Sequence, residues 1–243
     1  MIVRHLLTEH INYEPLPLAP FALRLTLAAE NAIRAAWERI RTSETGMEIL
    51  RNGAEDHVTI RLEAELEEMR SQGVIAEFSD ETFAMPVRSA QFMSYDGSHI
   101  KKSPDLVLRL KALRAGLPAS LNLYDGIFIE AKLLTQTATL GDYGKDGILR
   151  FVNGEYAWAM SHCLMLAYVR TEQTLPEALT EHLQRDQQAN MKAYSVISPP
   201  SRCPACPRSP CVFTTKHNRP WIYPIGTQPG DIEIRHLWLR AVK

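Results

Sequence analysis

Residues 127–134 read IFIEAKLL, and no other stretch of the chain restricts the fold as tightly. Six of the eight residues are apolar, so the stretch asks to be a strand that a sheet buries. Yet Glu130 and Lys132 stand in its middle. Side chains two apart on a strand face the same way, so both ionised groups share one face while Ile129, Ala131 and Leu133 share the other. Burying charge without a partner is costly. The fold must bring other charges to this strand, or the strand must carry out chemistry.

A partner is near in the sequence. DLVLRLKAL, following Pro104, reads as a second strand that begins at Asp105. If the two strands are neighbours, Asp105 lies close to Glu130. Two carboxylates and an amine in one place suit phosphodiester hydrolysis. Carboxylates hold Mg²⁺, a hard ion that prefers oxygen. The ion activates water and neutralises phosphate charge, and a lysine orients that water or stabilises the transition state. The competing reading is an internal ion pair, with Lys132 neutralising Glu130 or Asp105 and no metal.

The residues SPD (103–105), with EAK at 130–132, resemble the PD-(D/E)XK signature of restriction-endonuclease-like nucleases. The resemblance spans roughly residues 54–198. It implies that Asp105 and Glu130 bind Mg²⁺ (or Mn²⁺) and that Lys132 is the catalytic lysine. Many members add a carboxylate from the helix before the sheet. Glu55, three residues before Val58 and seven before Leu62 on an apolar stripe, is the candidate here. The implied fold is α/β, a restriction-endonuclease-like mixed sheet flanked by helices.

Around this core the chain divides into a helical N-terminal extension (1–53), a nuclease core (54–198) and a Cys/Pro-rich tail (199–243) packed on the core. Helices are expected over about 20–41 and 54–72, with a break at 42–53. VIAEF, TFAMPV and QFMSYD read as short strands, and RAGLPASLN as a hairpin-type connection. From Ile148 to about Arg170 the apolar run reads as one long buried helix. Within it, Glu155 and His162 read as a core pair and Cys163 as a small buried residue. LPEALTEHLQRDQQAN reads as a further helix, AYSVIS and DIEIRHLWLRAV as strands.

Cys203, Cys206, Cys211 and His217 are spaced C-x2-C-x4-C-x5-H. Three thiolates and an imidazole make a closed tetrahedral Zn²⁺ shell, a staple for the tail rather than a catalytic centre. His236 is a substitute for His217. An iron–sulfur cluster is the sharper alternative, but related exonucleases place a further cysteine before the nuclease core and this chain has none there.

The formal net charge is −1, so affinity for nucleic acid must come from a local patch. Lys101, Lys102 and Arg109 beside Asp105 form one, joined by Lys145 and Arg150 after the motif strand. The longest apolar stretch, AWAMSHCLMLAYV, is too short to span a bilayer, and no Walker motif is present, so a soluble, cytoplasmic protein without a built-in motor is expected. The function expected is Mg-dependent cleavage of DNA, controlled by partner proteins or homo-oligomerisation. Restriction, anti-phage or mobile-element systems are the setting such stand-alone nucleases suggest. The alternative is a non-catalytic, zinc-stapled adaptor that binds nucleic acid or protein through an inactive nuclease core.

Overall fold

The computed structural model describes residues 10–188, 193–203 and 212–241. Three helices come first: α1 (Leu23–Thr42), α2 (Glu44–Asn52) and α3 (Glu55–Gln72). Gly73 ends α3 in a left-handed cap at φ 61°, a conformation glycine adopts without steric cost. The expected break at 42–53 is instead α2. Its start is signalled by Ser43, whose hydroxyl accepts from the Gly46 amide at 3.0 Å.

Seven strands follow in one sheet: β1 (Val87–Arg88), β2 (Leu106–Leu108), β3 (Ile127–Leu134), β4 (His162–Val169), β5 (Val196–Arg202), β6 (Val212–His217) and β7 (Ile232–Arg240). Their spatial order is β1-β2-β3-β4-β7-β6-β5. The first three pair antiparallel, β3–β4 and β4–β7 pair parallel, and β7–β6–β5 pair antiparallel. The protein is therefore α/β with a mixed sheet flanked by helices. Of the three short runs before β2, only Val87–Arg88 becomes a strand. Isolated bridges form at Ile75, at Phe83 in the same run as Val87, and at Phe92. RAGLPASLN leads into a 3-10 turn over Ala119–Tyr124 rather than a tight hairpin.

The long helix expected from Ile148 to Arg170 does not form. A short helical segment runs through α4 (Leu140–Tyr143), a π turn (Gly144–Ile148) and α5 (Leu149–Val152), and then stops. Gly154 and Ala157 have φ of 68° and 54°, which no helix tolerates. HCLMLAYV is the central strand β4, buried at all eight positions. A continuous apolar run has no period and fits a strand buried on both faces as well as a helix. Glu155 and His162 are accordingly not a pair: Glu155 meets Lys102 at 2.8 Å, and His162 opens β4. The expected helix after β4 is present as α6 (Leu175–Gln188).

Two apolar layers enclose the sheet. On one face Ile129, Ala131, Leu164 and Leu166 pack with Ala32, Ile33, Leu62 and Leu66 of α1 and α3. On the other, Phe128, Met165 and Ala167 pack with Phe151, Trp158 and Leu179. The boundaries at 53/54 and 198/199 do not separate packing units. The first layer includes α1, and β7 from the tail lies between β4 and β6 inside the sheet.

Candidate active site at the end of β2

The strand β2 stops while β3 continues. Leu106 pairs with Ile129, and one further step of that register sets Asp105 opposite Glu130. Beyond that point β3 has lost its neighbour, and its amides on that edge need acceptors. Two carboxylates supply them. Asp105 Oδ2 accepts from the Ala131 amide at 2.7 Å, and Glu55 Oε2 from the Leu133 amide at 2.7 Å. Glu55 is the first residue of α3, so the helix start is tied to the same strand. These backbone bonds fix both carboxylates; Glu55 turns its other oxygen, Oε1, to Lys132, while Asp105 faces the lysine with the same Oδ2.

The lysine stands among them. Lys132 Nζ donates to Glu130 Oε1 at 2.9 Å, Glu55 Oε1 at 3.1 Å and the Ala131 carbonyl at 2.8 Å, with Asp105 Oδ2 3.8 Å away. Glu130 is wholly buried. Arg150 Nη1 also donates to its Oε1, at 2.9 Å, and the Tyr156 hydroxyl donates to its Oε2. Asp105, Glu130, Lys132 and Glu55 are thus gathered in one place, as the sequence predicts. Arg150, expected on a basic surface, belongs to the same cluster, and Tyr156 is an addition.

Electrostatics follow from this crowding. Burial, then the neighbouring Asp105, pushes the Glu130 carboxyl up to about 7. Burial and the charge of Glu55 raise Asp105 as well. Burial alone would lower Lys132, but Glu130, Glu55 and Asp105 outweigh it and hold the ammonium charged. With every group ionised, three carboxylates face two cations, Lys132 and Arg150, which leaves one negative charge over. Oxygen donors and a surplus of negative charge suit a hard divalent cation. Asp105, Glu130 and Glu55 are the residues that would hold it. Among the described residues no three acidic, histidine or cysteine side chains already form a metal cage. Here the carboxylates close around the protein's own cations.

The remaining basic candidates make no ion pair with Asp105, Glu130 or Glu55. Lys102 is paired with Glu155, while Lys101 and Lys145 are exposed. Arg109 follows the opposite end of β2 from Asp105, in a groove with Lys111 and Asp125. It does not join a patch beside the carboxylates.

The zinc quartet needs correction. Cys206 and Cys211 lie outside the described residues. Cys203 and His217 are on opposite faces of the sheet. Cys203 packs in the layer of α1 and α3, where its sulfur accepts from Arg235 Nη2 at 3.5 Å. His217 belongs to a buried chain on the other face. Its Nδ1 lies 2.6 Å from the Tyr194 carbonyl, which only accepts, so Nδ1 carries the proton. Thr215 Oγ1 then donates to His217 Nε2 at 2.7 Å and accepts from His236 Nε2 at 2.7 Å. His236 Nδ1 in turn accepts from the Tyr143 hydroxyl at 2.8 Å. Both imidazoles are committed at both nitrogens, so neither His217 nor its substitute His236 is a ligand beside Cys203.

These buried histidines make stability depend on pH. Burial lowers His162 and His217 to about 4 and His236 further, so the folded protein keeps them neutral. Neither ring nitrogen of His162 has a partner among the described residues. A depressed folded pKa gives stability that is complete above the unfolded value, near 6.5, and is lost as pH falls toward 4. Glu130, raised to about 7, acts in the opposite direction over the same window. The His162→Leu variant isolates one contribution. Its loss of urea stability between pH 7 and pH 5 is expected to be about 2 kcal/mol smaller than that of the wild type. Equal losses in the two proteins would show that His162 titrates normally.

No family model, curated protein or solved structure matches the chain. The functional reading therefore rests on the site itself. Among the described residues no helix is long and apolar enough to cross a membrane.

Proposed function

We propose that the protein is a metal-dependent nuclease that hydrolyses phosphodiester bonds of DNA, of the restriction-endonuclease-like type. The observation that carries this reading is the convergence of Asp105, Glu130 and Glu55 on Lys132 Nζ. Three separate segments are bent toward one lysine at the end of a strand. The succession of α3, an antiparallel β1–β2–β3 and then β4 parallel to β3 agrees with the fold that the SPD…EAK resemblance implies. Bound Mg²⁺ would supply an activated water and charge neutralisation at the phosphate. The protein's own part is positional. Asp105 and Glu55 are held by β3 amides, Glu130 by Tyr156, and Lys132 offers an ammonium to charge developing on the phosphate.

A restriction, anti-phage or mobile-element system in the cytoplasm is the setting proposed, with partner proteins or self-association limiting the activity. Purified protein incubated with plasmid and linear DNA is expected to cut with Mg²⁺ or Mn²⁺ and to stop on addition of EDTA. RNA of the same sequence tests the substrate class. Intact DNA at every metal concentration would refute the reading.

A second reading is favoured by one observation: both oxygens of the buried Glu130 are already hydrogen-bonded by protein groups. On that reading the cluster is an internal ion network and the protein an adaptor that uses the nuclease fold for binding. Metal-independent DNA binding without cleavage is its expected result.

A further inference from the structure

We infer that Arg150 is an exchangeable cation, paired with Glu130 at rest and transferred to a substrate phosphate when a divalent metal occupies the carboxylates. The inference rests on the nuclease reading and identifies which group of the site moves. The two oxygens of Glu130 are held differently. Oε2 is held by Tyr156, which is wholly buried between Phe151 and the sheet. Oε1 is shared by Lys132 and Arg150 at 2.9 Å each. Lys132 donates to three oxygens, has Asp105 at 3.8 Å and is 12 % exposed, whereas the Arg150 side chain is 35 % exposed and pairs at close range with one carboxylate, Glu130, with Tyr156 beside it and Glu155 acting from farther off.

Charge decides which cation gives way. Three carboxylates against Lys132 and Arg150 leave one negative charge. A divalent ion turns this into one positive charge, and the two cations at Oε1 then repel the ion. Arg150 is the less buried and less tethered of the two. Its release restores balance when it meets a phosphodiester, which a guanidinium grips in fork geometry. Arg150 lies on α5, directly after the π turn, and such local irregularities are common where a helix serves a site.

Metal and Arg150 are therefore antagonists at Glu130, and substrate and Arg150 are allies. The test uses Mn²⁺ binding followed by electron paramagnetic resonance without DNA, and DNA binding in Ca²⁺ by fluorescence anisotropy. Arg150→Gln keeps a donor for Glu130 and removes the charge. It is expected to bind Mn²⁺ about fivefold more tightly than the wild type, the scale of one partly exposed ion pair. Its affinity for DNA in Ca²⁺ is expected to fall about tenfold, the scale of one charge-assisted contact. Arg150→Lys, which keeps the charge, is expected to return Mn²⁺ affinity to the wild-type value and to recover part of the DNA affinity. A merely structural Arg150 would weaken both ligands together, and that outcome overturns the exchange while leaving the nuclease reading in place. Unchanged Mn²⁺ affinity in Arg150→Gln overturns it too. Absence of any Mn²⁺ binding by the wild type overturns both.

Discussion

Replacing Lys132 by methionine is expected to reduce Mg²⁺-dependent cleavage at least about a hundredfold, the usual scale for losing a group that serves the reacting atoms. The methionine side chain fills much of the same space but offers no charge. Glu130 would keep Arg150 and Tyr156, so one cation would face the three carboxylates. Breaking one partner out of a buried pair typically costs about 3 kcal/mol, and a lower melting temperature should accompany the lost activity. Here Mg²⁺ separates the two causes. A divalent ion supplies the missing charge, so it should raise the melting temperature of Lys132→Met more than that of the wild type. Cleavage should nevertheless stay absent. Normal cleavage by a less stable variant would rule out the catalytic role and favour the internal ion network.

The legible part of the site is the part written locally. Glu130 and Lys132 share a face because they are two apart on a strand, and the apolar neighbours announce the strand. Asp105 is legible because Pro104 and DLVL mark a strand start. Glu55 follows from its place on the Val58–Leu62 stripe, and α3 begins at that residue. Tyr156 is hidden for one reason: residues 148–170 read as one buried helix, in which nothing marks it as a partner of Glu130. The signal that corrects this is present. Asn153-Gly154 is a turn dipeptide, and a turn there ends the helix at Val152. That turn separates a short helix from the strand HCLMLAYV and places the GEY segment at the site.

The tail shows the opposite limit. Cysteine spacing says which ligands are near along the chain, not which face of a sheet each will take. β5 and β6 are a hairpin added to β7, and alternation along their strands sends Cys203 to one apolar layer and His217 to the other. The sheet register that decides this depends on β7 pairing with β4, an association between segments about 70 residues apart. Nothing in the local spacing encodes it. The same long-range pairing explains why the tail, which reads as an appendage, is integral to the sheet.

A second large effect is expected where α1 meets β7. Arg235 on β7 donates to Glu30 on α1 through Nε at 2.5 Å and Nη2 at 3.1 Å, with both side chains almost fully buried. The two residues are 205 positions apart, so no window of sequence pairs them. Each looks like an ordinary surface charge until the helix is laid on the sheet. Arg235→Met leaves Glu30 buried in an apolar layer and should cost about 3–5 kcal/mol, read as a lower urea midpoint. Glu30→Met alone should also destabilise the fold, because the buried guanidinium loses its nearest carboxylate and keeps the weaker Cys203 sulfur and Glu233 at 3.8 Å. The double variant removes both charges and places two apolar side chains near Ala29, Ile127 and Leu164, so its stability should recover most of the loss or exceed the wild type. Independent, additive losses would show that the pair is not coupled. Cleavage per folded molecule should stay unchanged in the double variant, because neither residue contacts Asp105, Glu130 or Lys132. A drop there would mean that the α1–β7 contact also sets the geometry at the end of β2.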